Sequence, residues 1–492
     1  MMKSEAKTMS PNILLITVDQ MRADCLRAAG HSIVETPNLD DLARNGVHFQ
    51  NAYSATPSCI PARAAIMTGM SQRSHGRVGY QEQVPWNYTH MLPAAFSKAG
   101  YHTQCVGKMH VYPTRNLCGF HNIVLHDGYL HYNRNYTGLP AAEHFNEYDD
   151  YLHWLKRQAG SDQDLLDHGL DCNASTVTRP WHLPEKLHPT NWVVSESIDF
   201  LRRRDPSKPF FLWSSFVRPH PPFDPPQVYF DMYKDLDIPL PPVGEWVDEA
   251  AAEDGSSGPT TSFSKLDKRR LNRAQAGYYA LITHLDDQIG RLLNSLGEYG
   301  VLRNTVILFA SDHGEMLGDH HYYRKVLPYE ASAKIPFLLY DPGDVLSLQR
   351  GKRVNEVVEL RDIMPTLLEA AGIPIPPTVE GLSVLSLCKG DASDWREYIH
   401  GEHSGGAVSN HYMTDGCMKY VWFSQSGKEQ LFDLLADPEE RIDLAEDRSY
   451  AEQLLLWRSR LIQELYGREE GYSDGTQLIA GQRPQACLSH IL

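Results

Sequence analysis

No apolar run in the 492 residues approaches the roughly 20 that a bilayer crossing needs. The longest early run, Ile13 to Val18, has the length of a strand. Met1 to Ser10 are polar, and no apolar stretch with a small-residue cleavage site precedes Pro11. The sequence thus predicts no export signal, no membrane partner and a cytoplasmic location. The eight cysteines (25, 59, 105, 118, 172, 388, 417 and 487) have no repeated spacing, which predicts mostly buried, reduced thiols. Without export, the sequons that begin at Asn87, Asn135 and Asn173 carry no meaning. Internal repeats, low-complexity tracts, a His-Glu-x-x-His motif and a basic stripe are all absent. The net charge of −16 repels phosphate backbones and excludes a non-specific nucleic-acid partner. A hydrophobic share of 42% with 22% charged residues excludes a wholly disordered chain.

What is present reads as α/β. Asn12 to Val18, Phe210 to Ser214 and Thr305 to Ala310 are continuous apolar runs, as strands of a parallel sheet covered on both faces require. Each leads into ionisable residues: Asp19-Gln20, Arg218-Pro-His220 and Asp312-His313. Ligand sites of open α/β sheets lie off the carboxyl ends of strands, so the three ends are expected to meet. Thr36-Pro37 opens a helix as N-cap and first residue. Leu271 to Leu296 repeats apolar residues at i, i+3, i+4 and i+7, which predicts a long core-facing helix. Asp127 to Trp192, rich in His, Tyr, Asn and Trp, is expected to be an insertion over the site, and 251–264 an exposed loop. The prolines at 374, 376 and 377 mark a boundary between a catalytic domain, 1–375, and a smaller α+β domain, 376–492. The smaller domain should hold strands near 419–423 and 431–433 and a helix over 451–466.

The chemistry-bearing residues fall into short motifs. Ser58-Cys59-Ile60-Pro61-Ala62-Arg63 places an arginine one helical turn after a cysteine. Asp19-Gln20 and Asp312-His313 supply carboxylate, amide and imidazole donors off strand ends, an oxygen-rich set that favours Ca²⁺ or Mg²⁺. Gly107-Lys108-Met109-His110, Pro219-His220-Pro221 and Arg324-Lys325 add cations and imidazoles. Together, in this order, they resemble the signatures of the type I, formylglycine-dependent sulfatases of the alkaline phosphatase superfamily. The resemblance runs over nearly the whole chain and is thinnest over 127–205 and after Tyr472. It implies an alkaline phosphatase-like large domain with a mostly parallel central sheet flanked by helices. It also implies that a maturation enzyme oxidises Cys59 to formylglycine, whose hydrate attacks sulfur. Asp19, Gln20, Cys59, Asp312 and His313 would hold the divalent cation, Ca²⁺ first. Arg63, Lys108, His220 and Lys325 would neutralise the sulfate oxygens, His220 or Lys325 would protonate the leaving alcohol, and His110 would be the base of the second step.

Gln20 departs from the family's usual Asp-Asp pair. It removes a negative charge, which leaves Mg²⁺ or Mn²⁺ open, and an Asp-Gln pair resembles phosphonate monoester and phosphodiester hydrolases of the same superfamily. Lys108 and His110 favour sulfate, since those relatives usually carry neutral hydroxyl side chains there. A catalytically inactive binding homologue is the third reading, and the full set of catalytic residue types weighs against it. His75, in Ser74-His75-Gly76, is a candidate substrate contact. Tyr129, Tyr132, Tyr136, Trp154 and Trp181 would suit stacking on a ring. The resemblance implies a small sulfated substrate, with a sulfated sugar as the expected partner.

Overall fold

Strand β1 (Asn12–Asp19) sets the architecture because every one of its residues is buried. Leu14, Ile16 and Val18 face one hydrophobic cluster, and Ile13 and Leu15 face another. Side chains that alternate across a strand, apolar on both sides, demand a covering layer on each face. The first face is covered by the helices Pro189–Arg203 and Lys268–Glu298, the second by Cys59–Thr68, Leu92–Lys98 and Ile363–Ala370. Each fully buried Leu or Ile contributes about 1.5–3 kcal/mol.

The structure is a computed structural model that describes residues 10–128 and 149–492. Tyr129, Tyr132, Tyr136 and the sequon at Asn135 lie outside the described residues. The other strands are β2 (Val47–Phe49), β3 (Ala52–Tyr53), β4 (His102–Gly107), β5 (Asn122–Leu125), β6 (Phe210–Pro219), β7 (Thr305–Ser311), β8 (Phe337–Tyr340), β9 (Lys352–Val354), β10 (Val358–Glu359), β11 (Ile399–His403), β12 (Asn410–Thr414), β13 (Met418–Phe423) and β14 (Glu429–Asp433). The large sheet has the order β5-β4-β6-β1-β7-β8-β2-β9. Neighbours from β5 to β7 are parallel, and β8 runs antiparallel to both of its neighbours. Strands β11 to β14 form an antiparallel meander. One face of the meander packs on Tyr53, Met316 and Tyr329 of the large unit, the other on Trp457, Leu461 and Leu465 of the helix Ala451–Leu465.

Several expectations need correction. Trp181 and Trp154 pack into or against the first core cluster, so neither is a stacking platform. The insertion contributes the helix Asp150–Ala159 to that same core, and its Cys172 and Asn173 reach the site cavity. The loop expected over 251–264 begins inside a helix, Glu249–Asp254, capped by Asp248. After the prolines, Val384, Leu385, Leu387 and Cys388 still pack in the second core cluster, and the antiparallel sheet starts at Ile399. The antiparallel sheet thus begins downstream of the three prolines. All eight cysteines are free; Cys417 is exposed and Cys172 half-buried.

Candidate active site

Four adjacent parallel strands, β4, β6, β1 and β7, end side by side, and each delivers a predicted site residue. Asp19 closes β1, Lys108 follows β4, His220 follows β6, and Asp312-His313 follows β7. Gly107 has φ +98°, and a Cβ there would lie 1.9 Å from the Ser215 carbonyl oxygen, so only glycine lets β4 turn toward the site. Cys59 and Arg63 come from the opposite side, on the fully buried helix Cys59–Thr68. Pro61 sits in the first turn, where its missing N–H costs no helical bond. The spacing of four puts Cys59 and Arg63 on one helix face.

The centre is a dense charge cluster. The Cys59 Sγ lies 3.5 Å from Asp19 Oδ2, 3.3 Å from His313 Nε2 and 3.1 Å from Lys325 Nζ. Lys108 Nζ donates to Asp19 Oδ2 at 2.5 Å. Arg63, fully buried, donates from Nε to Asp312 Oδ2 at 3.1 Å and from Nη1 to the Lys108 carbonyl at 2.6 Å and Ser215 Oγ at 2.9 Å. Its Nη2 is buried and has no hydrogen-bond partner among the described residues. Gln20 is held with φ 72° by its own N–H donating to Asp312 Oδ1 at 3.2 Å. Its side-chain amide donates to Glu315 Oε2 and accepts from Lys325 Nζ at 2.9 Å. Glu315 itself is fully buried and also takes the backbone N–H groups of Leu317 and Arg324.

The charges set the ionisation. Burial would raise the Asp19 carboxyl, but Lys108, His220 and Lys325 hold it well below the usual range. Burial and the Asp19 charge push the Asp312 carboxyl up instead. Burial opposes the His313 imidazolium, yet Asp312 lifts it to about 9. Burial and the Lys325 ammonium press His220 down to about 3. The Cys59 thiol, raised by burial and Asp19, is carried well below its usual value by Lys108 and Lys325.

Asp19, Cys59, Asp312 and His313 each offer one ligand atom, and these atoms lie within 4.8 Å of one another. His313 Nδ1 donates to the Gly314 carbonyl at 2.9 Å, which leaves Nε2 free to ligate. Two buried carboxylates, an imidazole and the nearby Gln20 amide fit a divalent cation. With an oxygen in place of sulfur at position 59 the donors become hard, which suits Ca²⁺, Mg²⁺ or Mn²⁺.

A cavity of about 390 Å³ opens from Cys59. Lys108, His110, His220 and Lys325 line it, with Tyr80, Glu82, Tyr112 and Asp127 farther along the wall. Tyr80 and Tyr112 are half-exposed, at 42% and 40%. His75 is elsewhere: it is buried, its Nδ1 accepts the Arg77 N–H at 3.1 Å, and it does not line the cavity. Burial and the Arg77 charge press its pKa to about 3, so the expected substrate contact is a structural histidine. Sequence reading missed Glu82, which lies 28 residues from the His110 it pairs with; only the structure brings them together.

Comparison with known proteins agrees with this arrangement. The family described as Sulfatase matches residues 11–373, and the family described as N-sulphoglucosamine sulphohydrolase, C-terminal, matches 318–466. An arylsulfatase of Clostridium perfringens is 58% identical over 98% of this chain and 100% of its own length. The multifunctional alkaline phosphatase superfamily protein PehA of Trinickia caryophylli is 32% identical, over 91% of this chain and 95% of its own. A crystal structure of the phosphonate monoester hydrolase of Agrobacterium radiobacter superposes with TM-score 0.75 at 26% identity, over 92% of this chain and 95% of that one. With three-quarters of its length matched by one family and a near full-length relative at 58% identity, this chain belongs to the sulfatases of the alkaline phosphatase superfamily and is a sulfatase enzyme.

Proposed function

We propose that this enzyme hydrolyses sulfate monoesters of small ring-bearing alcohols, aryl or carbohydrate, at the cavity over residue 59. The proposal includes conversion of Cys59 to formylglycine by a maturation enzyme, and one divalent cation, Ca²⁺ ahead of Mg²⁺ or Mn²⁺, held by Asp19, Gln20, Asp312, His313 and residue 59. The observation that carries it is the convergence of two ammonium groups on one buried position: Lys325 Nζ lies 3.1 Å from Cys59 Sγ, and Lys108 Nζ lies 2.5 Å from the Asp19 carboxylate beside it. A formylglycine there supplies a geminal diol as nucleophile, and the cation supplies charge neutralisation.

The chain's own residues do the rest. Arg63 holds Asp312 and the Lys108 carbonyl, which fixes the floor under residue 59. Lys108 and Lys325 present N–H donors where the sulfate oxygens gather charge, in a site from which bulk water is largely excluded. His220 donates its one hydrogen from Nδ1 to the Pro221 carbonyl at 2.7 Å, so its Nε2 accepts, and the proton for the leaving oxygen falls to Lys325. His110, with Nδ1 buried and without a hydrogen-bond partner among the described residues, receives or holds a proton on the cavity side. The half-exposed Tyr80 and Tyr112 offer flat surfaces to the alcohol ring.

Gln20 supports a second activity of the same site, on phosphonate monoesters or phosphodiesters, since its uncharged amide lowers the negative charge around the cation. The test is paired hydrolysis of an aryl sulfate and an aryl phosphodiester by protein co-expressed with a formylglycine-generating enzyme, beside Cys59→Ala. Faster sulfate release that disappears in the variant is the expected result. Faster diester cleavage would reverse the order of the two activities.

A further inference from the structure

His110 is displayed by an unusual backbone. Its φ is 57°, a left-handed conformation uncommon for a residue with a side chain. One oxygen of Asp127 holds it there by accepting the N–H groups of Met109 at 2.7 Å and His110 at 3.0 Å. The ring is buried in the cavity wall. Nε2 lies 2.9 Å from Glu82 Oε1, while Nδ1 is buried with no hydrogen-bond partner among the described residues. Glu82 is in turn held by the Tyr80 hydroxyl, which donates to that same oxygen.

We infer that Glu82 is a positioning residue for the reaction, and that it fixes which nitrogen of His110 works. The inference rests on the sulfatase reading of this cavity. An ionised carboxylate only accepts, so the hydrogen between Glu82 and His110 sits on Nε2. That leaves Nδ1 as the ring atom that can exchange a proton with the reacting groups at residue 59. The hydrogen bond of one ring nitrogen sets the state of the other. Glu82 stays ionised because burial, which would raise it, is overcome by His110 and by the Tyr80 hydroxyl, and its pKa falls to about 2. In turnover the ring acts in its neutral form, with Nδ1 bare: Nδ1 takes a hydroxyl proton at residue 59 as the oxygen's electrons reform the carbonyl and the bond from that carbon to the sulfate oxygen breaks. Sulfate leaves with the bonding pair, and Nδ1 passes the proton to water. Without Glu82 the ring is free to turn and to protonate either nitrogen.

Two readouts test this. In protein left with an unmodified Cys59, ¹⁵N-labelled imidazole shifts are followed from pH 6 to 10. The account predicts that the neutral ring of His110 carries its proton on Nε2 in wild type, and that Glu82→Ala populates both neutral tautomers. In matured enzyme, Glu82→Ala should lower kcat on an aryl sulfate by about 10–100-fold, as the loss of a group that orients a catalytic imidazole does, with KM within about threefold. Glu82→Asp should restore part of kcat. An unchanged tautomer in Glu82→Ala, or a loss carried by KM alone, overturns the inference. Inactivity of matured wild type would refute the sulfatase reading instead, and the imidazole shifts would still decide the role of Glu82.

Discussion

An isosteric carboxylate in place of the Gln20 amide, by Gln20→Glu, should destabilise this protein. The Gln20 amide donates to the buried Glu315 and accepts from Lys325. A carboxylate cannot donate. Two unit charges about 3 Å apart repel by roughly 5–6 kcal/mol at an effective dielectric of 20. Protonating one ordinary glutamyl carboxyl of pKa about 4.3 costs about 4.4 kcal/mol at pH 7.5 and about 1.6 kcal/mol at pH 5.5. Protonation is the cheaper route at both, so the variant's pair takes up a proton on folding. Its folded pKa is raised, so stability relative to wild type falls as pH rises. A large unit of roughly 390 residues unfolds with an entropy of about 0.8 kcal/mol/K, so the apparent melting temperature should fall by about 5 °C at pH 7.5 and about 2 °C at pH 5.5. Scanning calorimetry at both pH values, in metal-free buffer, measures this. Gln20→Glu with Glu315→Gln should recover most of the loss, because an amide again faces a carboxylate. A loss independent of pH, or no recovery in the double variant, would refute the reasoning.

Arg63→Met should cost about 3–5 kcal/mol, or about 4–6 °C in melting temperature, because it strands the fully buried Asp312 carboxylate without its cation. Thermal melts of the unmodified protein check this. Lys325→Met should lower kcat/KM on an aryl sulfate by about 10²–10³-fold, as loss of one preorganised donor does, while the fold persists in circular dichroism. Burial works against the His110 imidazolium, but Glu82 lifts its pKa to about 9. The stabilisation from that pair is complete below about pH 6.5 and lost as pH rises through about 9. Glu82→Ala should therefore melt below wild type at pH 6, with the gap closing by about pH 9.5. Chelator treatment should lower the melting temperature by about 3 °C relative to protein in cation at about 100 times its Kd, and Ca²⁺ should restore it.

The strands β1, β6 and β7 are legible in the sequence because burial on both faces leaves continuous apolar runs. β4 is not, although it too leads to a site residue, Lys108. His102, Thr103 and Gln104 break the apolar pattern, and their polar atoms are satisfied laterally: Thr103 Oγ1 meets His121 Nδ1 at 2.9 Å, and Gln104 Oε1 accepts from Asn122 at 3.0 Å. The site residues from Asp19 to Lys325 are legible because motif order survives in the chain while their meeting is left to the sheet. Glu82 is not, since a loop carboxylate that pairs across 28 residues leaves no periodic trace. His75 misleads because a histidine before glycine looks like a loop ligand. Here it ends a four-residue helix, with Gly76 at φ 75°, and turns its ring to the Arg77 backbone.

The central claim is that residue 59 acts as formylglycine, and the most direct measurement relates modification to turnover. Preparations matured to different extents are digested, the fraction of the Cys59 peptide carrying the aldehyde is measured by mass spectrometry, and each preparation is assayed on an aryl sulfate. The account predicts a rate proportional to the aldehyde fraction, with a line through the origin. A substantial rate in protein whose Cys59 is wholly unmodified would contradict it.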